Sequence, residues 1–447
     1  PEKIGGWAQL GSVDITGRNT AIHHFINSSG IKYAILGGNR ILYAYSGGIF
    51  YDIHPIKTTT TLTNSFTTTN GKSIVTITFA SAHNINVGDI ILLDSFTAIT
   101  GSNYNSQNFD LNKFQVKSIP TDTTLTIDVD VNETGSGATT SGGIRVQHYY
   151  PVGPAQEVAS TGWGLGSWGG VQQGQFTSTL SSSINTSVTS LTMASSSAFA
   201  SSGTVLIGTE LITYTSNSSN TLSGLTRGAK GTTAASHSSG ATVTDASNYV
   251  GWNAAASGDV ITDPGIWSLD NFGNKLVATI FNGESFEWDS DPITANSTRA
   301  TIIAGAPTAS RFSLISTPDR HVVFFGTETT IGTKSTQDEM FIRFSSQEDI
   351  NTYTPTSTNT AGTQRLSDGS RIVGAIRGRD AIYVWTDTAL FVMKFVGPPF
   401  TFSFQQVGTN CGLIGKNAAV EVDGVAYWMS DNGFFRYTGK LESDRKS

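Results

Sequence analysis

Apolar and polar positions alternate in short runs along most of the chain, and the runs come in pairs. An apolar strand is followed by a turn of Ser, Thr, Asn, Asp or Gly, then by a strand carrying Phe. The first such hairpin is Ile41-Leu42-Tyr43-Ala44-Tyr45, Ser46-Gly47-Gly48, Ile49-Phe50-Tyr51. The second runs Leu276 to Phe281, turns at Asn282-Gly283-Glu284, and returns through Ser285-Phe286-Glu287-Trp288. The third pairs Ile382-Tyr383-Val384-Trp385 with Leu390-Phe391-Val392-Met393, and the fourth pairs Val425 to Met429 with Phe434-Phe435-Arg436-Tyr437. A looser copy joins His321 to Phe325 with Met340 to Phe344 across a longer turn.

The spacing of these hairpins predicts how they assemble. Phe286 to Phe341 is 55 residues, Phe341 to Phe391 is 50 and Phe391 to Phe435 is 44. Propeller blades, each a four-stranded antiparallel sheet, repeat at about 40–50 residues. One such sheet cannot bury both faces alone, so neighbours must stack, with aromatic rings filling the gaps. The expectation is an all-β fold with a β-propeller core. Its blade aromatics would be Phe50, Phe286, Trp288, Phe341, Trp385, Phe391, Trp428 and Phe435. Hairpins of a β-sandwich share the local pattern; the regular interval favours the propeller.

The interval fails between Phe50 and Phe286, which are 236 residues apart. Two insertions are read there as small β-barrel or sandwich modules. The first covers 57–147, with strand-like runs at Ser73 to Phe79, Ile90 to Leu93 and Thr124 to Val129. The second covers 175–247, with runs at Val205 to Gly208, Leu211 to Thr215 and Leu222 to Thr226. Residues 148–174 form a Gly- and Trp-rich propeller connection. Residues 1–56 are the first part of the propeller and 248–447 its remaining blades. A chain of 447 residues that begins at Pro1 reads as a piece of something longer.

Composition narrows the function. Only 14% of residues are charged, against ~25% in an average soluble protein. The net charge of −7 disfavours a grip on phosphate backbones, which needs a basic surplus or stripe. An acidic wall would instead let DNA slide past. With a single cysteine, Cys411, no disulfide can form within the chain. No apolar run reaches the ~20 residues of a membrane-spanning helix.

Candidate chemistry is sparse. Gly164, Gly166 and Gly169 match a dinucleotide-binding glycine pattern, but strand-like sequence follows where a helix is needed. Asp128, Asp130 and Asn132 resemble the start of a calcium loop, with Glu133 where the turn glycine belongs. His23, His24 and His148 lack Cys or His partners at metal spacing. No catalytic, cofactor or metal site is expected, and the chain reads as a non-enzyme. A propeller glycosidase is the weaker alternative. Ser430-Asp431-Asn432-Gly433 resembles the Asp-box turn of sialidases, and Arg365, Arg371, Arg377 and Arg379 would have to converge on a substrate carboxylate.

The stretch from Arg343 to Gly415 carries a family likeness. It includes Arg343-Phe344-Ser345-Ser346-Gln347-Glu348-Asp349, Arg365-Leu366-Ser367-Asp368-Gly369-Ser370, Phe395-Val396-Gly397-Pro398-Pro399-Phe400 and Asn410-Cys411-Gly412-Leu413-Ile414-Gly415. With the opening Pro1 to Trp7, this resembles the tail tube or nozzle proteins of short-tailed bacteriophages. Both insertions resemble small β-modules that recur in phage structural proteins. The resemblance implies a virion location in the tail and a structural role in a nozzle through which double-stranded DNA is ejected. It implies self-association as a hexameric ring, with the portal adaptor and other tail proteins as partners. It offers no catalytic residues or cofactors. The alternative is a tail protein that binds host-surface polysaccharide through the insertions.

Overall fold

The computed structural model describes residues 15–68, 70–134, 141–153, 177–196, 199–247, 265–290 and 298–444. The fold is almost wholly β. Among the described residues the helical turns are Ser106–Phe109, Ala229–Gly231 and Lys334–Thr336. The chain divides into two compact units: Pro1–Pro55 with Asp263–Ser447, and Ile56–Thr262 between them.

Among the described residues the first unit contains five four-stranded antiparallel sheets, each an up-and-down meander in chain order. Sheet I lies within residues 19–52, II within 267–302, III within 310–365, IV within 372–409 and V within 419–443. Tight turns make these meanders possible. Asp423-Gly424 joins two strands of sheet V with both residues at positive φ (52° and 84°), the two-residue turn whose twist suits a hairpin.

The first strands are Asn19–Ile26, Trp267–Phe272, Ser310–Ser316, Ile372–Arg377 and Ala419–Val422. Each packs beside the first strand of the next sheet. Between II and III lie Phe272, Val277, Ile315, Val322 and Phe324. Between III and IV, Phe325, Ile342 and Phe344 meet Val384, Phe391 and Phe402. Between IV and V, Trp385 and Leu390 meet Ala426 and Trp428. Sheets I and II approach more closely: a Cβ on Gly37 would sit 2.8 Å from the Trp267 ring. Trp267 Nε1 donates to Gly38 O at 2.8 Å.

The hairpin aromatics do not all play one part. Phe286, Trp288, Trp385, Phe391 and Trp428 are buried between sheets. Phe50, Phe341 and Phe435 are only half-buried. Phe50 differs for a topological reason. It lies on Ile49–Asp52, the fourth strand of its sheet, whereas Phe286, Phe341, Phe391 and Phe435 lie on third strands. On Phe341–Phe344, Ile342 and Phe344 take the place in the III–IV core that the hairpin pattern assigned to Phe341.

In the second unit, residues 56–149 form one seven-stranded sheet. Its edge strands are Asn112–Gln115 and Ser118–Thr121, so among the described residues the expected barrel or sandwich is one sheet that does not close by hydrogen bonding. Phe66, Ile77, Ile91, Phe109, Leu125 and Ile144 fill its core. Residues 177–245 form a four-stranded and a three-stranded sheet. Leu191, Val205, Ile212, Tyr214, Leu222 and Val243 share one core there. The Gly/Trp-rich connection from 154 to 174, with its glycine motif, lies outside the described residues.

Burial separates two phenylalanines cleanly. Phe286 is fully buried, and Phe286→Ala is expected to destabilise the first unit by ~3–5 kcal/mol. Phe434 is 58% exposed, and Phe434→Ala is expected to change stability by no more than about 0.5 kcal/mol. Urea unfolding followed by tryptophan fluorescence checks both.

Candidate functional site

Near the ends of the first strands, polar side chains from sheets I, II and IV meet the backbone of sheet III. Asp270 and Asn271 lie in the last half of the first strand of sheet II, Ile315 is next to last in that of sheet III, and Arg377 ends that of sheet IV. His23 reaches them from sheet I, its Nε2 lying 3.1 Å from Asn271 Oδ1. Arg377 Nη1 donates to Asp270 Oδ1 (3.1 Å) and to Ile315 O (3.3 Å). Asp270 Oδ2 accepts the Ile315 amide at 2.9 Å.

Burial pushes the His23 imidazole below its ordinary value. Asp270 and Asn271 pull it upward, and Arg377 and His24 add to the downward push. Deeper between sheets II and III, Ser268 Oγ donates to Ser313 O (2.7 Å). Thr279 shares hydrogens with Ser313 (2.8 Å) and Ser285 (3.0 Å). Small hydroxyls fit where strands approach too closely for large apolar groups, and each is satisfied by a neighbour. This polar seam joins sheets.

The turns beyond two first strands open a cleft of about 470 Å³ lined by Gly378, Arg379, Glu421, Asp423 and Gly424. The Tyr383 ring packs against Gly378, where a Cβ would come within 2.4 Å of it. Two carboxylates, one guanidinium and a neighbouring phenol ring suit hydrogen bonding to a hydroxyl-rich ligand. Sequence reading missed Glu421 and Asp423. Their one local signal is the Asp423-Gly424 turn, which marks a hairpin and says nothing of what faces it.

The arginines singled out earlier do not gather. Arg365 Nε donates to Asp338 (2.6 Å), Arg377 joins the seam and Arg379 lines the cleft. The Arg371 amide points to Asp387. Burial works to raise the Asp387 carboxyl, but the Ser370 hydroxyl and the Ser370 and Arg371 amides outweigh it and hold it low. In the Asp-box-like turn, Ser430 Oγ donates to Asp431 Oδ1 at 2.9 Å.

One acid–imidazole–hydroxyl chain has the order of a hydrolase triad. Asp319 Oδ2 lies 2.9 Å from His321 Nδ1, and His321 Nε2 lies 3.3 Å from Thr360 Oγ1. His321 is fully buried among Phe344, Phe395 and Phe402, and Thr360 Oγ1 already accepts the Gln347 amide at 2.7 Å. The three residues all belong to sheet III, and the His321 ring packs against Phe395 and Phe402 of sheet IV.

The second unit has its own charged anchors. Asp89 Oδ2 lies 2.8 Å from His148 Nε2, and both side chains are buried. Asp94 receives Arg145 through two hydrogen bonds of 2.6 and 2.8 Å. Asp128, the first calcium-loop candidate, accepts the Asp130 amide and pairs with Lys117 at 3.6 Å. Glu133 takes hydrogen bonds from Ser102 and the Asn103 amide.

The strongest anchor is Glu210, whose side chain is wholly buried. It receives Arg227 Nε and Nη2, each at 2.8 Å, and His237 Nε2 at 2.8 Å. The Gly228 and Ala235 amides complete its shell at 2.9 and 3.0 Å. Burial would raise this carboxyl. Arg227, the Ala235 amide, His237 and the Gly228 amide outweigh it and bring the pKa to about 2.

No family model matches this chain, and no curated protein matches it. Among solved structures it is similar to the phage phi92 endosialidase, at 11% identity and a TM-score of 0.25. That match covers 92% of this chain and 52% of the endosialidase. It is also similar to the extracellular domain of a one component system from B. thetaiotaomicron. There the identity is 11% and the TM-score 0.25, with 95% of this chain and 65% of that one covered. The chain thus spans about half the length of the endosialidase and just under two thirds that of the extracellular domain. Likeness at these TM-scores assigns neither a shared fold nor an activity.

Glu210 sets an acid limit on the second insertion. Its folded pKa, about 2, lies below the 4.5 of an unfolded chain. The stability it contributes, about 3 kcal/mol, is complete above pH 4.5 and is lost as pH falls toward 2. Glu210→Gln leaves Arg227 buried without its countercharge and is expected to cost ~3–5 kcal/mol at pH 7. Segment-resolved hydrogen exchange over residues 203–245 measures both effects.

Proposed function

We propose that this chain is a non-catalytic structural subunit of a phage tail. In this reading sheets I to V are successive blades of a β-propeller, and the insertions are modules carried in the loop between its first two blades. The observation that supports it is the side-by-side packing of five first strands in chain order, with a separate apolar core between II and III, between III and IV and between IV and V. A scaffold of this kind acts by shape. Its blades hold a fixed bore, and its polar seam resists shear between them. The net charge of −7 suits a wall that DNA passes without being held. Copies in a ring about the tail axis, below the portal adaptor, would complete the nozzle.

The test is electron microscopy of virions carrying a labelled version of the chain. Label on the tail axis is expected; label on peripheral fibres, or none in the particle, ends the nozzle reading. The isolated chain is expected to show no retained double-stranded DNA in a mobility-shift assay at physiological salt.

The cleft at Arg379, Glu421 and Asp423 favours a second reading, a tail protein that binds host-surface polysaccharide. The Glu421 and Asp423 carboxylates and the Arg379 guanidinium that line it are suited to sugar hydroxyls, and the cleft is open to solvent. On a glycan array this reading predicts a saccharide signal that falls at least tenfold in a Glu421→Ala, Asp423→Ala double variant. The nozzle reading predicts no saccharide signal for either protein.

A further inference from the structure

Strand edges differ sharply within the first unit. The outer edge of sheet IV is its fourth strand, Thr401–Thr409, which is nine residues long. The fourth strands of sheets I, II, III and V have four, two, four and three residues. Shortness, with a charge at Asp52, Arg365 or Glu442 on three of them, is a usual way of blunting an edge against other chains. Thr401–Thr409 is long instead, and its sequence Thr-Phe-Ser-Phe-Gln-Gln-Val-Gly-Thr holds neither charge nor proline.

The outer side of this strand is open. Ser403, Gln405 and Gln406 are exposed. Among the described residues the main chain of Ser403 to Thr409 makes no hydrogen bond beyond its ladder with Ala389–Gly397. That ladder is regular from Phe402 to Gln406, with a register shift on either side. Within the regular run Phe404 packs at the rim of the III–IV core and is only half-buried. Apolar surface and outward N–H and C=O groups thus lie side by side along it.

Another strand completes such an edge, and this sequence is fitted to pair with itself. An antiparallel pair about Phe404 sets Phe404 against Phe404, Ser403 against Gln405 and Phe402 against Gln406. No like charges meet in it. An aromatic pair at its centre is a cross-strand contact that stabilises a sheet. The partner ring would also cover the open half of Phe404 and so extend the III–IV core. This register lays the regular run of one strand wholly against the regular run of the other.

We infer that two copies of this chain join through Thr401–Thr409, pairing antiparallel about Phe404 so that their fourth sheets become one continuous sheet. The main chain supplies the attraction, and the Phe404 pair supplies the register. The contact is isologous and closes with two copies, so it is separate from the neighbour-to-neighbour contact of a ring. It holds whether or not the chain resides in a tail.

The test uses the full chain in two single-cysteine additions, Ser403→Cys and Gln405→Cys, bearing different affinity tags. Cys411 stays in place, since it is buried and its thiol is pushed up to about 11. Directly opposed residues in this register have Cβ atoms about 5 Å apart, close to disulfide reach. On mild oxidation of the mixed variants, a disulfide dimer carrying both tags is expected in at least tenfold excess over dimers carrying one. No disulfide dimer, or one-tag dimers in comparable amount, overturns the inference. A Ser403→Lys, Gln405→Lys double variant sets like charges opposite each other. Sedimentation is expected to show its dimer dissociation constant raised at least tenfold, with the urea midpoint of the diluted monomer unchanged. An unaltered dissociation constant, an unsubstituted chain that stays monomeric, or a lowered midpoint overturns the inference. Amide exchange over residues 402–406 is expected to slow as protein concentration rises. Slow exchange already in the diluted monomer means that the strand is covered within its own chain, and also overturns it. The virion-labelling result stands or falls separately.

Discussion

The first unit depends on one interaction, the burial of a β-sheet face against the face of the next sheet in the chain. A four-stranded meander has two faces and no interior of its own. At ~25 cal/mol per Å² of apolar surface removed from water, residues such as Phe324 and Phe325 contribute only when covered on opposite sides. Phe324 faces the II–III core and Phe325 the III–IV core, so two adjacent residues serve two interfaces. Stability is passed from sheet to sheet, which makes each interface a condition for the next.

Close approach of the first strands explains why polar chemistry gathers where it does. Where backbones come near, as at Gly37 against Trp267, side chains must be small or absent. Ser268, Ser313 and Thr279 fill such places and satisfy one another, and Asp270 with Arg377 closes the end of the seam. Buried polar groups of this kind are costly unless every partner is present. They fix the register between sheets more firmly than apolar contact alone, which slides easily.

The β character of the chain and its hairpins were legible because strand alternation and turn residues are local signals. Ser46-Gly47-Gly48 and Asp423-Gly424 announce turns whatever surrounds them. Which aromatic residue reaches a core was less legible, since that depends on parity along the strand and on the position of the strand in its sheet. Phe341 and Ile342 are equally apolar neighbours, yet the III–IV core takes Ile342. Glu421 and Asp423 of the cleft and the partners of the four arginines were not legible at all. Glu421 and Asp270 are far from Arg379 and Arg377 in sequence, and only the stacking of sheets makes them neighbours.

The long excursion between sheets I and II has a consequence for biosynthesis. Sheet I ends at Asp52 and its partner begins at Trp267, some 210 residues later. At ~5–20 residues per second, roughly ten to forty seconds of translation separate them. Throughout that time Phe25, Tyr33 and Ile35 have no sheet II to lie against. The nascent chain must hold a sticky half-built surface in water while two whole insertions emerge. Exposed apolar surface of this kind is prone to aggregation, so delay in folding sheet I until Trp267 leaves the ribosome would protect the chain.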